Sequence, residues 1–172
     1  AKDLLAKADE LIQLAADSNL TLGLCSQHYV TCQSCLRLYR EQEPDAPLTS
    51  IEGVLASPAK GQTIDPDIIW SDLGPHMLAA VQAVAPDAEM VKDSIEVERA
   101  PNRFDCTFTV ARGNTGDLAC TLKVFKTEGE PTHVRRVVLN DHRYDLSGGC
   151  GDDGIYYAEL EGPEGVHRED DP

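Results

Sequence analysis

Phe104-Asp105-Cys106-Thr107-Phe108-Thr109-Val110, then Gly113-Asn114-Thr115-Gly116, then Leu118-Ala119-Cys120-Thr121-Leu122-Lys123-Val124 is the stretch on which the fold turns. On both sides of the glycine-bounded turn, apolar residues alternate with polar ones. That is the period of two that sends every second side chain to one face of a strand. Both apolar sets share a face only if opposed residues share parity. Phe108 is therefore predicted to face Cys120, and Cys106 to face Leu122, across a three-residue loop.

Toward the C-terminus, strands are expected at 133–139, 143–146 and 155–160. Asn140-Asp141 forms a turn, and residues 147–154 form a glycine-rich loop. A further strand at 95–98 brings the sheet to about five or six strands. The charged segment 162–172 is expected to fray.

Toward the N-terminus the period lengthens. Leu4, Leu5, Ala8, Leu11, Ile12 and Ala15 fall on the spacing of an amphipathic helix over 2–17. After a break at Asn19 and Thr21, the set Cys25, Tyr29, Cys32, Leu36 and Tyr39 predicts a second helix over 24–42. Residues 1–42 thus read as a helical hairpin. Residues 43–66, with Pro44, Pro47, Pro58 and Pro66, read as a linker holding one short strand at 51–56. Asp65-Pro66 reads as N-cap and first residue of a third helix that bends at Gly74-Pro75. The expected fold class is α+β in a single domain, 1–172. The helical hairpin and the third bent helix pack on one face of a five- to six-stranded antiparallel meander, which together with that third helix spans 67–161.

The formal charge is −15, from 30 acidic and 15 basic residues. A field of that sign repels nucleic-acid phosphates and anionic lipid and attracts basic protein surfaces. Aromatics make up only 5% of residues, so stacking platforms for bases are few. No apolar run approaches the roughly 20 residues of a membrane span. A CxxC beside a histidine favours a reducing compartment, hence the cytoplasm. A secreted mature chain is the other reading, with Asn19-Leu20-Thr21 as a sequon.

Soft ligands concentrate at Cys25-x2-His28-x3-Cys32-x2-Cys35. Three readings compete: one zinc ion, a reduced cysteine stripe packed in the core, or a Cys32/Cys35 redox dithiol. On one continuous helix the outer two would lie about 15 Å apart, so a single zinc needs the helix to start late or break near Thr31. His28-x3-Cys32-x2-Cys35 resembles the H-x3-C-x2-C segment of the zinc-binding anti-sigma factors, over about a dozen residues. The resemblance implies a helical domain, a zinc ion and a sigma-factor partner. That family usually takes its fourth ligand from a helix well upstream. Residues 1–17 contain no Cys or His, so Cys25 would substitute.

Other chemistry is sparse. Cys150 is a loop thiol whose neighbours Asp152 and Asp153 disfavour a thiolate. Asp65, Asp67 and Asp72 suit the first turns of a helix. Arg135-Arg136, with His133 and Arg143, could form a basic strip that holds an anion, although pairing with carboxylates is the commoner fate of such residues. There is no P-loop, GxGxxG, HExxH or GxSxG.

These observations point first to a non-enzymatic acidic module of inhibitor, immunity or regulatory type, acting on a basic protein surface. A second reading is a zinc- or thiol-dependent regulator using Cys25, His28, Cys32 and Cys35. A third is a small-molecule enzyme or carrier with its pocket between helices and sheet, marked by Trp70, His76 or His142 beside a carboxylate.

Overall fold

The computed structural model describes residues 2–20, 26–129 and 131–170. Helices α1 (Lys2–Asp17) and α2 (Gln27–Gln42) are followed by strand β1 (Ser50–Pro58) and helix α3 (Pro66–Val84). Strands β2 (Glu89–Ala100), β3 (Arg103–Ala111), β4 (Leu118–Thr127) and β5 (Val134–Leu139) follow. The chain closes with β6 (His142–Cys150), β7 (Tyr156–Gly162) and β8 (Gly165–Asp170). All eight strands form one sheet in the order β2-β3-β4-β1-β5-β6-β7-β8. β1 runs parallel to β4 and antiparallel to β5, and the remaining pairs are antiparallel.

The sheet is therefore mixed and eight-stranded, not the expected five- to six-stranded antiparallel meander. The hairpin register is as its parity requires, with Phe108 opposite Cys120 and Cys106 opposite Leu122. The correction comes mainly from two segments. The first is the stretch expected as a linker, which holds β1 at the centre of the sheet. Gly53, Val54, Leu55 and Ala56 are all buried, on the helix-covered face and on the open face alike, so the strand's residues do not alternate. The second is the stretch expected to fray, where residues 165–170 form β8 on the edge. Charged residues suit an edge strand because they discourage further pairing.

β8 is also tied to α2. Glu169 accepts hydrogen bonds from Ser34 Oγ and from Arg37 Nη2, both at 2.7 Å. Burial works against the Glu169 charge, but these two donors outweigh it and hold the carboxyl below its ordinary range. Glu169→Ala is expected to cost about 1–2 kcal/mol, read as a lower urea midpoint with an unchanged slope.

α2 packs beside α3, and both cover one face of the sheet; among the described residues α1 does not pack closely on α2. On α1, Leu11, Ile12 and Leu14 remain exposed. α3 starts as expected, with the Asp65 carboxylate accepting from the Asp67 backbone N–H at 2.8 Å. It does not break at Gly74-Pro75 but runs on to Val84. Gly74 has no Cβ to clash with the proline ring, and that space is filled by Trp70, whose ring would lie 2.6 Å from a Cβ there. Gly53 of β1 has a similar use. A Cβ at Gly53 would lie 3.0 Å from Met77 Sδ and 3.2 Å from Leu122 Cδ2, so the bare backbone lets α3 approach closely.

The core lies between this helix pair and the sheet. Cys32, Cys35 and Tyr39 of α2 and Ile69 and Met77 of α3 cover Ile51, Leu122, Leu139 and Tyr144. Asn140, in the β5–β6 turn, locks one end of it. Its backbone is left-handed, at φ 53°. Its Oδ1 accepts from Thr49 N (2.8 Å), Thr49 Oγ1 (3.1 Å) and Ser50 N (3.1 Å). Its Nδ2 donates to Tyr39 Oη (2.6 Å) and to the Pro47 carbonyl (3.0 Å). Among the described residues no helix is long and apolar enough to cross a membrane.

Candidate functional site

The opposite end of the sheet gathers polar groups. β1 ends there, with Leu55 opposite Arg135 and Ala56 opposite Val134 of β5. Opposed residues of an antiparallel pair share a face, and Leu55 belongs to the core beneath the helices, so Arg135 emerges on the helical side. Arg136 points the other way and donates to Asp145 at 2.7 Å, and Arg143 pairs with the same carboxylate. The expected basic strip is thus split between two faces, and two of its members meet the carboxylate fate.

Near Arg135, the first turn of α2 presents His28. Its ring lies against that of His76 on α3, with centroids 5.0 Å apart and planes at 57°. His76 follows Asp72 by four residues, so the two share a helix face. Asp72 Oδ2 accepts from Lys126 Nζ at 3.2 Å, and the same ammonium donates to Ser57 Oγ at 2.8 Å. A cleft of about 420 Å³ opens beside His28, walled by Ser26, Tyr29, Arg135, Ser147 and Tyr157.

His28 is only 7% exposed. Burial first, then the neighbouring His76 and Arg135, push its pKa down to about 4, so the imidazole is neutral throughout the neutral range. The sign of the linkage follows. With a folded pKa below the ordinary value of 6.5, the unfolded chain binds the proton more readily. The contribution of His28 to stability is full above pH 6.5 and is lost as pH falls toward 4. Wild-type stability should decline across that window, and His28→Gln should flatten the decline, as followed by chemical denaturation at stepped pH.

The other expected site residues are dispersed. Cys25 lies outside the described residues. Cys32 and Cys35 are completely buried on the continuous helix α2. Burial raises the Cys32 thiol well above its ordinary range and pushes Cys35 up to about 12, so both are protonated thiols. Among the described residues no three His, Cys, Asp or Glu side chains converge to hold an ion. The helices-on-sheet architecture also differs from the helical domain that the anti-sigma resemblance implies. Cys150 lies exposed at the end of β6 instead of in a loop. Of the three pocket markers, Trp70 is spent in stacking on Phe104, with centroids at 4.6 Å. His142 sits at the far end of α2 beside Tyr39, its Nδ1 3.2 Å from Asp141 Oδ1. His76 alone adjoins the cleft-lining His28. The pairing of His28 with His76 and Arg135 is a tertiary event that no local pattern carried. The Asp72-x3-His76 spacing was visible in the sequence, although Asp72 read only as a helix-start residue.

The fold, a mixed sheet with paired helices on one face, is similar to part of a solved dehydrogenase structure. The solved structure in question is UDP-N-acetylglucosamine 3-dehydrogenase GnnA from Acidithiobacillus ferrooxidans, with a TM-score of 0.58 and 19% identity, covering 96% of this chain and 51% of that chain. A second crystal form of that enzyme gives a TM-score of 0.49 at 19% identity, covering 96% of this chain and 52% of that chain. The chain spans about half the length of the enzyme it matches, and at this identity the likeness is one of fold. No family of known sequences matches the chain, and no curated protein matches it by sequence.

The fold overturns the expectation of a non-enzymatic acidic module. That expectation rested on net charge and on missing motifs. On the open face of the sheet, however, acidic residues are neutralised by neighbours, Glu52 by Lys123, Asp105 by Arg103 and Asp145 by two arginines. The pocket between helices and sheet is the better-supported reading.

Proposed function

We propose that this chain is the substrate-side portion of a dehydrogenase that oxidises a secondary hydroxyl of a sugar nucleotide. The His28–His76 pair and the adjoining cleft form its reaction centre. The observation that carries the reading is the contact of two imidazoles, one of them buried and neutral, beside a cleft in a fold shared with a UDP-sugar dehydrogenase.

In such an oxidation the C–H bond breaks with its electron pair, which leaves as hydride for a nicotinamide dinucleotide. The hydroxyl proton goes to a base, and C=O forms. His76 takes the role of that base. A proton arriving on His76 leaves a cation, and a neutral His28 beside it repels that cation less than a charged neighbour would. Asp72, one turn earlier on the same helix face, adds negative charge near His76 and is itself fixed by Lys126. The sequence holds no GxGxxG, so the reading places the hydride acceptor outside residues 1–172.

The test is to incubate the full-length protein that contains this chain with UDP-N-acetylglucosamine and NAD+ or NADP+. A product lighter by two hydrogens in mass spectrometry, formed together with reduced dinucleotide, is the expected result. Failure to oxidise any UDP-sugar with either acceptor removes the reading.

A further inference from the structure

The chain carries a net charge of −15, and its other arginines are all engaged. Arg37, Arg99, Arg103, Arg136, Arg143 and Arg168 pair with carboxylates, and Arg40 and Arg112 donate to backbone carbonyls. Arg135 alone, among the described residues, has neither kind of partner. It is half-buried, and it lines the cleft beside His28. A guanidinium withdrawn from a surplus of carboxylates into a cleft, with its donors unspent, is a preformed half of a charge-assisted pair.

The same cleft is lined by the start of α2. Ser26 caps that 16-residue helix without a side-chain hydrogen bond, and no acidic residue lies in the first turn. Its Oγ is buried and has no hydrogen-bond partner among the described residues. Free backbone N–H groups at a helix start carry partial positive charge. The Arg135 side chain and the uncapped start of α2 therefore line one space, with the buried Ser26 hydroxyl belonging to a residue of its wall.

We propose that Arg135, Ser26 and the start of α2 form an oxyanion subsite that holds a phosphate or carboxylate group of the substrate while its hydroxyl reaches the His28–His76 pair. The subsite deepens the dehydrogenase reading and rests on it only for the identity of the substrate. Arg135 contributes bidentate donors, and α2 contributes backbone N–H groups. Tyr156, exposed and lining the same cleft, offers its ring to the remainder of the ligand. Arg136 is the internal control, because it sits next in sequence but on the opposite face, paired with Asp145.

The test is calorimetric titration of the chain with UDP, uridine, inorganic pyrophosphate and glucuronate, for wild type, Arg135→Gln and Arg136→Gln. UDP or pyrophosphate should bind at least about tenfold more weakly to Arg135→Gln than to wild type. Arg136→Gln should be unchanged, and uridine should bind poorly to all three. If glucuronate alone loses affinity in Arg135→Gln, the subsite stands with a carboxylate as its ligand. If pyrophosphate binding depends on Arg135 but UDP-sugars are not oxidised, the subsite stands and the sugar-nucleotide reading falls. Two results overturn the subsite: equal affinity of wild type and Arg135→Gln for every anion, or no anion binding to wild type. Circular dichroism of Arg135→Gln separates a lost contact from a lost fold, and Arg135→Lys should recover part of the affinity.

Discussion

His76→Ala is expected to lower the turnover of UDP-N-acetylglucosamine by about 10²–10⁴-fold, the range by which a positioned acid–base group accelerates proton transfer. The loss should fall on kcat, with KM changed little, because the imidazole is needed when the hydroxyl proton moves and not for holding the nucleotide. Folding should be nearly unaffected, since His76 is partly exposed on a helix whose core contacts come from Ile69, Met77 and Ala80. His28→Gln separates the two imidazoles. It keeps a neutral polar side chain beside His76, so it should retain most of kcat and shift the pH profile instead. Full activity in His76→Ala would remove the histidine from the chemistry, and comparable losses of kcat in both variants would reassign the base to the pair as a unit.

The largest stability effect is expected at Asn140, far from the cleft. Asn140→Ala should cost about 2 kcal/mol or more, because it removes the side-chain hydrogen bonds to Thr49, Ser50, Pro47 and the buried Tyr39 and leaves a side chain poorly suited to φ 53°. Two further variants divide that loss. Asn140→Gly relieves the backbone but restores no hydrogen bond, so it should recover only the smaller part. Asn140→Asp keeps the acceptor facing Thr49 and Ser50 but loses the donors to Tyr39 and Pro47. Urea unfolding of the three variants, with Tyr39→Phe as the partner control, measures each share. An alanine variant within about 0.5 kcal/mol of wild type would mean that the turn is held by other contacts.

The legible parts of the fold were those whose information is local. The 104–124 hairpin showed its register because one face is buried and the other is not, so parity had a single solution. The start of α3 was legible because Asp65-Pro66 satisfies a helix end by itself. β1 was not, because burial on both faces erases alternation and its flanking prolines resemble a connection. β8 was not, because an edge strand and a frayed tail share a charged composition. The site was the least legible. His28 stood out as a neighbour of cysteines, Arg135 as a neighbour of Arg136, and His76 as one of three aromatic markers. What joins them is the seating of α2 and α3 over the end of β1, and no sequence window contains that event. The cysteines drew the eye for a chemical reason, yet Cys32 and Cys35 behave as small apolar side chains once they face the sheet.

The central place of β1 also sets an order of events for the growing chain. β1 is synthesised early, yet both of its partners, β4 and β5, come much later, so it waits unpaired while α3, β2 and β3 are made. Pairings over such long sequence separations are slow to form, because loop closure must precede any reward. The hairpin of β3 and β4, local and strongly patterned, is the natural nucleus, and β1 docks on its β4 edge before β5 seals the other side. A ribosome stalled before residue 118 would therefore hold a chain whose central strand has no neighbour. Protection of that strand from hydrogen exchange or protease should appear abruptly, in one step, once β4 has emerged.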